Sequence, residues 1–284
     1  MREGVSRTYV FLDRNMLRHL FLLVLFTAFA PGAFAQPTDA AAGLKAAVDG
    51  SQRDPANRAR DRFRHPLETL AFFGIRDNMT VVEISPGGGW YSEILAPLLR
   101  ERGHLILAGG MSKALRARVD DKSGLFGKVK PIDFLPPRGD PAQIPNGADR
   151  VLTFRNVHNW MAAGTAEATF AAMFRALKPG GILGVVEHRA NPSAPNDPAA
   201  RNGYVHEEQV IAYAQAAGFK LAGKSEINAN PADTKDYPQG VWTLPPTLAL
   251  GATNRDKYLA IGESDRMTLK FVRPREVEAT GDGD

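Results

Sequence analysis

The chain of 284 residues contains no cysteine. That excludes disulfides, thiolate nucleophiles, cysteine-based metal sites and a lipid-anchored cysteine. Chemistry must therefore come from histidine, carboxylates, amides, hydroxyls or a bound cofactor. An excess of one sign of charge is also lacking, since 35 basic residues are interspersed with 31 acidic ones for a formal net charge of +4. This balance does not favour nucleic acid as a partner. No Gly-x-Ser-x-Gly nucleophile elbow and no internal repeat is present. The apolar run at 20–30 is shorter than the about 20 residues a bilayer span needs.

With 44% apolar residues the chain can bury a full core, and one large α/β domain with extensions is the expected organisation. The first 35 residues differ in kind from the rest. Arg14 and Arg18 precede the apolar run, Pro31-Gly32 breaks it, and Ala33-Phe34-Ala35 offers a small-x-small cleavage site before Gln36. This is the pattern of a secretory signal peptide over 1–35, which predicts export to a periplasm or the medium with no stable membrane span after cleavage. Met1 and Met16 are both available as the start; a retained membrane anchor is the alternative.

Residues 36–57 read as a linker with a short helix at 44–48, and 58–284 as the main domain. Apolar residues at 67, 70, 71 and 73 have helical spacing, with Pro66 suited to a first turn and Gly74 to a carboxyl-terminal cap. Strands are expected at 80–84, 105–108, 129–134, 150–154 and 182–187, alternating with helices at 90–102, 111–118, 165–177 and 206–217. Such alternation predicts a doubly wound, Rossmann-like, mostly parallel sheet covered on both faces, with ligand beyond the strands' carboxyl ends. Residues 218–221 open a further strand and 266–272 alternate as an antiparallel edge strand. Between them, 228–265 is rich in Pro, Gly, Asn and Asp and reads as an insertion or lid.

The most informative stretch is Val81-Val82-Glu83-Ile84-Ser85-Pro86-Gly87-Gly88-Gly89-Trp90, an apolar strand running into glycines and then a helix. Bare glycine lets a ligand approach the backbone, and the following helix aims free N–H groups at the crevice. Glu83 can accept hydrogen bonds from hydroxyls or an ammonium. An ordinary glycine-rich βα loop is the bland alternative.

Three features together resemble the class I S-adenosylmethionine-dependent methyltransferases, and more closely a group of exported predicted methyltransferases of unknown substrate. The run Glu83 to Gly89 is similar to the family's first motif, with Ser85 in place of its first glycine; Leu177-Lys178-Pro179-Gly180-Gly181 resembles the turn into its fifth strand; and the element order resembles its seven-stranded sheet. The third glycine position of a dinucleotide-binding Gly-x-Gly-x-x-Gly is Ser92, which favours the methyltransferase pattern. The resemblance implies S-adenosylmethionine as cofactor, held by Glu83, Ser85, Gly87, Gly88 and Gly89. Gly109 falls where relatives carry a ribose-binding acid, and Asp133 falls near the adenine position. Arg155-Asn156-Val157-His158-Asn159-Trp160 follows the fourth strand, where the methyl group would lie. Asn156 can then fix the cofactor's amino-acid end.

Methyl transfer from a sulfonium needs placement and, for a hydroxyl or ammonium acceptor, a base. His158 is the expected base, and capping a helix or stacking on Trp160 is its structural alternative. His188, within Glu187-His188-Arg189 at the end of the fifth strand, and Tyr204 are the other catalytic candidates; His206 reads as a helix-start residue. Arg62, Arg64 and His65 are candidates for holding an anionic acceptor or form a solvated helix face. No metal is expected, because the histidines are far apart in sequence with no paired motif. The expected partner is a small-molecule acceptor. A non-catalytic exported protein that binds a small ligand on the same fold is the competing reading.

Overall fold

Val81, Val82, Glu83 and Ile84 are all buried, so this segment needs cover on both faces. In the computed structural model, which describes residues 1, 37–134, 143–144 and 146–275, they lie in β1 (Thr80–Ile84) at the middle of a sheet. Among the described residues four helices precede it: α1 (Pro37–Asp49), α2 (Pro55–Arg58), α3 (Asp61–Arg64) and α4 (Pro66–Phe72). After it come α5 (Ser92–Leu99), β2 (His104–Ala108), α6 (Lys113–Asp120), β3 (Lys130–Ile132), β4 (Ala148–Phe154), α7 (Val157–Ala162), α8 (Ala166–Ala176) and β5 (Leu177–His188). Then follow α9 (Glu207–Ala216), β6 (Lys220–Ser225), α10 (Arg255–Ile261) and β7 (Arg266–Val272).

The strands form one seven-stranded sheet in the order β3-β2-β1-β4-β5-β7-β6. The first five are parallel, and β7 runs antiparallel to both β5 and β6. The antiparallel margin expected at 266–272 is thus a pair, with the mostly buried β7 one place in and the half-exposed β6 outermost. Alternate residues serve the two faces. Val82, Ile84, Val151, Leu183 and Val185 join a cluster with α7, α8 and α9, whereas Val81, Leu105, Leu107 and Leu152 join one with α1, α4, α5 and α6. Each such side chain fully removed from water stabilises the fold by roughly 1.5–3 kcal/mol.

From β1 the chain passes to β2 and β3 on one side, then returns to β4 on the other. Neighbouring loops therefore diverge at the carboxyl ends of β1 and β4, and a crevice opens between them.

The segment expected to be a linker is largely helical. α1 runs well beyond 44–48 and buries Leu44, Ala47 and Val48 against the side of the sheet that carries α4 and α5. Its Ala-rich sequence has little apolar periodicity, and the helix owes its place to tertiary packing. The signal pattern at 1–35 lies outside the described residues apart from Met1. No described helix is long and apolar enough to cross a membrane.

Replacing Leu44 by Ala should lower unfolding free energy by about 2–4 kcal/mol in urea titrations, the range for a buried leucine. A change of only a few tenths would mean that α1 is a loose attachment.

Candidate active site

At the crevice the chain is forced into left-handed backbone at two non-glycine positions. Ser85 follows β1 with φ 49° and Arg155 follows β4 with φ 61°. Such conformations cost of order 1–3 kcal/mol each and persist where surrounding bonds impose them. Here the Ser85 N–H donates to Ala108 O (2.9 Å) and the Arg155 N–H to Val186 O (2.7 Å). Asn156 ties the two strand ends together, its Nδ2 donating to Ile84 O (3.1 Å) and Thr153 Oγ1 (3.1 Å).

A cavity of about 300 Å³ lies over these ends. Glu83, Ser85, Gly87 and Gly88 form one wall; Phe154, Arg155, Asn156 and His158 form the next; His188 and Arg266 stand beyond them. Trp90, Tyr91, Arg60 and Arg64 close the amino-terminal side, and Trp242 with Pro245, Pro246 and Thr247 from the insertion close the top. A Cβ added at Gly87 or Gly88 would meet nothing within 4 Å, so bare peptide faces open space there. Gly89 serves packing instead: with φ 85°, a Cβ on it would press Leu115 Cδ1 at 2.8 Å.

Not every expected site residue reaches this cavity. Glu83, Ser85, Gly87, Gly88, Asn156, His158 and His188 line it, whereas Gly89, Gly109, Asp133 and Tyr204 do not. The loop after β2 is bonded to the glycine turn, Gly87 N–H donating to Gly110 O (3.0 Å) and Ser112 N–H to Gly87 O (2.8 Å). Gly109 is thereby drawn into backbone pairing, its N–H donating to Ile132 O (3.0 Å). Asp133 is exposed, and its carbonyl accepts from Gln143 Nε2 (3.0 Å). The Tyr204 hydroxyl donates to Asp233 (3.0 Å), whose carboxylate also accepts from the Asp265 N–H (2.7 Å), so Tyr204 anchors the insertion. Burial, then Asp233, raises the Tyr204 pKa. Of the basic group at 62–65, Arg64 lines the cavity, while Arg62 stacks on Phe63.

The residue that organises the site is Glu187, fully buried at the end of β5. Its Oε2 accepts from the N–H groups of Val157 (2.5 Å) and His158 (3.3 Å) at the start of α7, and its Oε1 from the His188 N–H (2.8 Å). His158 Nδ1 lies 3.0 Å from Oε1. With N–H donors on both oxygens the carboxylate is an acceptor only, so His158 carries its proton on Nδ1 and leaves the Nε2 lone pair for the cavity. Sequence reading placed Glu187 at this edge without its role; the signal was a charged residue ending a core strand.

His188 lies beside His158, ring centroids 5.4 Å apart, with Nδ1 2.5 Å from Ser264 Oγ. Burial, then the charge of Arg266, lowers its pKa well below the usual histidine value and keeps the ring neutral. Distance in sequence thus did not keep the histidines apart. Among the described residues His158, Glu187 and His188 place donor atoms within 4.8 Å of one another, a grouping that can in principle hold a metal. The charges do not suit one: Glu187 already serves N–H groups, and Arg64, Arg155 and Arg266 act on the same space.

Glu83 is buried with Ser92 Oγ donating to its Oε2 (2.6 Å), and burial pushes its pKa up to about 7. Burial, then Arg266, brings Arg155 down to about 10. Burial alone would raise Glu263, but Arg266, Arg64 and Arg60 hold it well below the usual carboxylate range.

No protein-family model and no curated protein matches the chain. Solved structures do. A SAM-dependent methyltransferase from Aquifex aeolicus superposes with TM-score 0.50 at 15% identity, covering 82% of this chain and 98% of that one. The [4+2]-cyclase SpnF superposes with TM-score 0.53 at 17% identity, covering 83% and 94%. The likeness is one of fold. It shows a Rossmann-like fold shared by a methyltransferase and a cyclase, so chemistry must be argued from the site.

Because the folded-state pKa of Glu83 (about 7) exceeds its ordinary 4.5, the folded protein keeps a proton the unfolded chain has released between those values. Stability therefore falls as pH rises through that window, by on the order of 3 kcal/mol once above it. Glu83→Gln should raise the melting temperature at pH 8 and leave it unchanged at pH 5. An equal effect at both pH values would contradict the burial argument.

Proposed function

We propose that the protein transfers a methyl group from S-adenosylmethionine to a small-molecule acceptor deprotonated by His158. The observation that carries this reading is the His158–Glu187 pair, which leaves Nε2 as the proton-accepting atom in a cavity walled on one side by bare glycine peptide.

The residues present fit the cofactor's sulfonium and amino-acid end. Gly87 and Gly88 leave room that a side chain would fill, and Glu83 offers a buried carboxyl to an ammonium. When bound, the cofactor supplies a methyl group on a leaving group already activated by its charge. The protein's part is placement and proton removal. His158 takes the acceptor's proton at Nε2, and the carboxylate of Glu187 at Nδ1 stabilises the imidazolium that results. Neutral His188 adds a polar, uncharged surface beside it. Trp242, which meets the His158 ring edge to face at 6.1 Å, and the prolines beside it limit water at the reacting atoms. Placement of the ring by a buried carboxylate lets one histidine contribute a factor of about 10²–10⁴.

The amino-terminal pattern supports export of the mature chain. One observation favours a second reading, a non-catalytic exported protein that binds a small ligand. The loop at 109–112 offers no carboxylate for a ribose and is itself bonded to Gly87.

Calorimetry with S-adenosylhomocysteine separates the two. Binding is expected to be retained in His158→Ala, with methyl transfer reduced at least 100-fold in single-turnover assays on candidate acceptors. Wild-type-like transfer by the variant would remove His158 from the mechanism. No heat with millimolar ligand would overturn the methyltransferase reading.

A further inference from the structure

The cavity wall carries four arginines, Arg60, Arg64, Arg155 and Arg266, and among the described residues one carboxyl group, that of Glu83. Three of the arginines share one carboxylate, that of Glu263, and Arg266 Nη1 also donates to Phe63 O (3.3 Å). Arg60 Nε donates to Glu263 Oε1 (2.5 Å), Arg64 Nε donates to Oε2 (2.9 Å), and Arg266 Nη2 also bonds Oε2. One carboxylate does not satisfy three guanidinium groups. Arg64 Nη2 and Arg266 Nε are buried without a hydrogen-bond partner among the described residues, on side chains 3% and 2% exposed. Arg155, which is mostly buried, has no hydrogen-bond or ion-pair partner for its guanidinium among the described residues. Leaving buried donors of charged groups unpaired costs more than an ordinary hydrogen bond provides, so these two atoms add uncompensated positive charge behind the wall, and the guanidinium left to meet acceptor oxygens in the cavity is that of Arg155.

The position of these groups indicates which ligand. Arg266 opens β7 directly opposite His188 on β5, and Arg155 follows β4, its N–H bonded to Val186 of β5. The glycine turn lies at the end of β1, on the other side of β4. Three strand spacings separate β1 from β7, roughly 14 Å. The positive groups therefore extend from Arg155 at the end of β4 to Arg266 at the start of β7, which lies on the far side of His188 from the bare peptide. S-adenosylmethionine, with a sulfonium and an ammonium against one carboxylate, adds positive charge to the cavity and cannot balance it.

We propose that the acceptor is an oxyanion, a carboxylate or phosphate monoester, gripped by Arg155, with Arg266 and Arg64 adding positive charge beside it, so that its nucleophile faces His158. This rests on the methyl-transfer reading for the word acceptor, but the anion site itself does not depend on turnover. The aromatic surfaces of Tyr91, Phe154 and Trp242 on the same cavity suit an aromatic body carrying the anion.

Benzoate and phenyl phosphate are the probes, with benzamide as neutral control, titrated against the wild-type chain and Arg155→Met by calorimetry. The anions should bind the wild type, benzamide at least tenfold more weakly, and Arg155→Met should lose at least tenfold for the anions. Equal binding of benzamide, or no anion binding by the wild type, would overturn the proposal; neither comparison requires the variant to fold. The cofactor's own carboxylate is the other source of the same chemistry. S-adenosylhomocysteine, which has it, and 5′-methylthioadenosine, which lacks it, distinguish the two. A tenfold loss in Arg155→Met for the first but not the second, with benzoate unaffected, would assign the guanidinium to the cofactor and overturn the acceptor site. Anion binding of the expected pattern with no S-adenosylhomocysteine binding would uphold the anion site and defeat the methyl-transfer reading.

Discussion

A carboxylate with no exposure to water has to be surrounded by donors, and Glu187 is surrounded completely. Its bonds join the end of β5 to the first turn of α7 and to the His158 ring. The helix start, which offers free N–H groups and a positive dipole end, is a natural resting place for that charge. The same bonds fix the direction of His158. Without this one side chain, α7 would lose its amino-terminal cap, and the histidine would be free to turn its nitrogens either way.

The rest of the site builds outward from that anchor. Left-handed backbone at Ser85 and Arg155 turns the chain at the ends of β1 and β4, and Asn156 locks the two ends together. The insertion is held down by buried polar groups remote from the cavity. Asn228 Nδ2 donates to Thr69 Oγ1 (3.0 Å) and Thr268 Oγ1 (2.9 Å), and Asn230 Nδ2 donates to Glu263 O (2.7 Å). Those bonds bring Glu263 and Ser264 to the site, where one gathers the arginines and the other meets His188. Electrostatics then sort the groups: the histidine beside the arginines is kept neutral, and the single carboxyl on the wall, Glu83, is held at about 7.

How much of this was legible depended on whether the cause was local. The strand at 80–84 and its glycine turn were readable because an apolar run covered on both faces and a bare bend are both written in adjacent residues. The helix at 66–72 declared itself through Pro66 and Gly74. α7 was missed: six residues are too few for a periodic pattern, and its stability comes from Glu187, 30 positions from Val157. α1 was read short because Ala and Gly carry no directional signal. The resemblance correctly indicated the sheet. It also pointed to Gly109 and Asp133, but this chain bonds the loop after β2 to Gly87, and neither residue reaches the cavity. The convergence of Arg155, His188 and Arg266 was invisible because it is made by strand register, which brings position 266 opposite 188.

The chemistry of the site depends on the direction of one imidazole. Nitrogen-15 NMR of histidine-labelled protein, assigned by loss of the signal in a His158 variant and recorded where the ring is neutral, reads which nitrogen carries the proton. A protonated Nδ1 and a bare Nε2 are expected, with the preference lost in Glu187→Ala. A proton on Nε2 in the intact protein would contradict this, because the cavity would then face a donor and the site would lack its base.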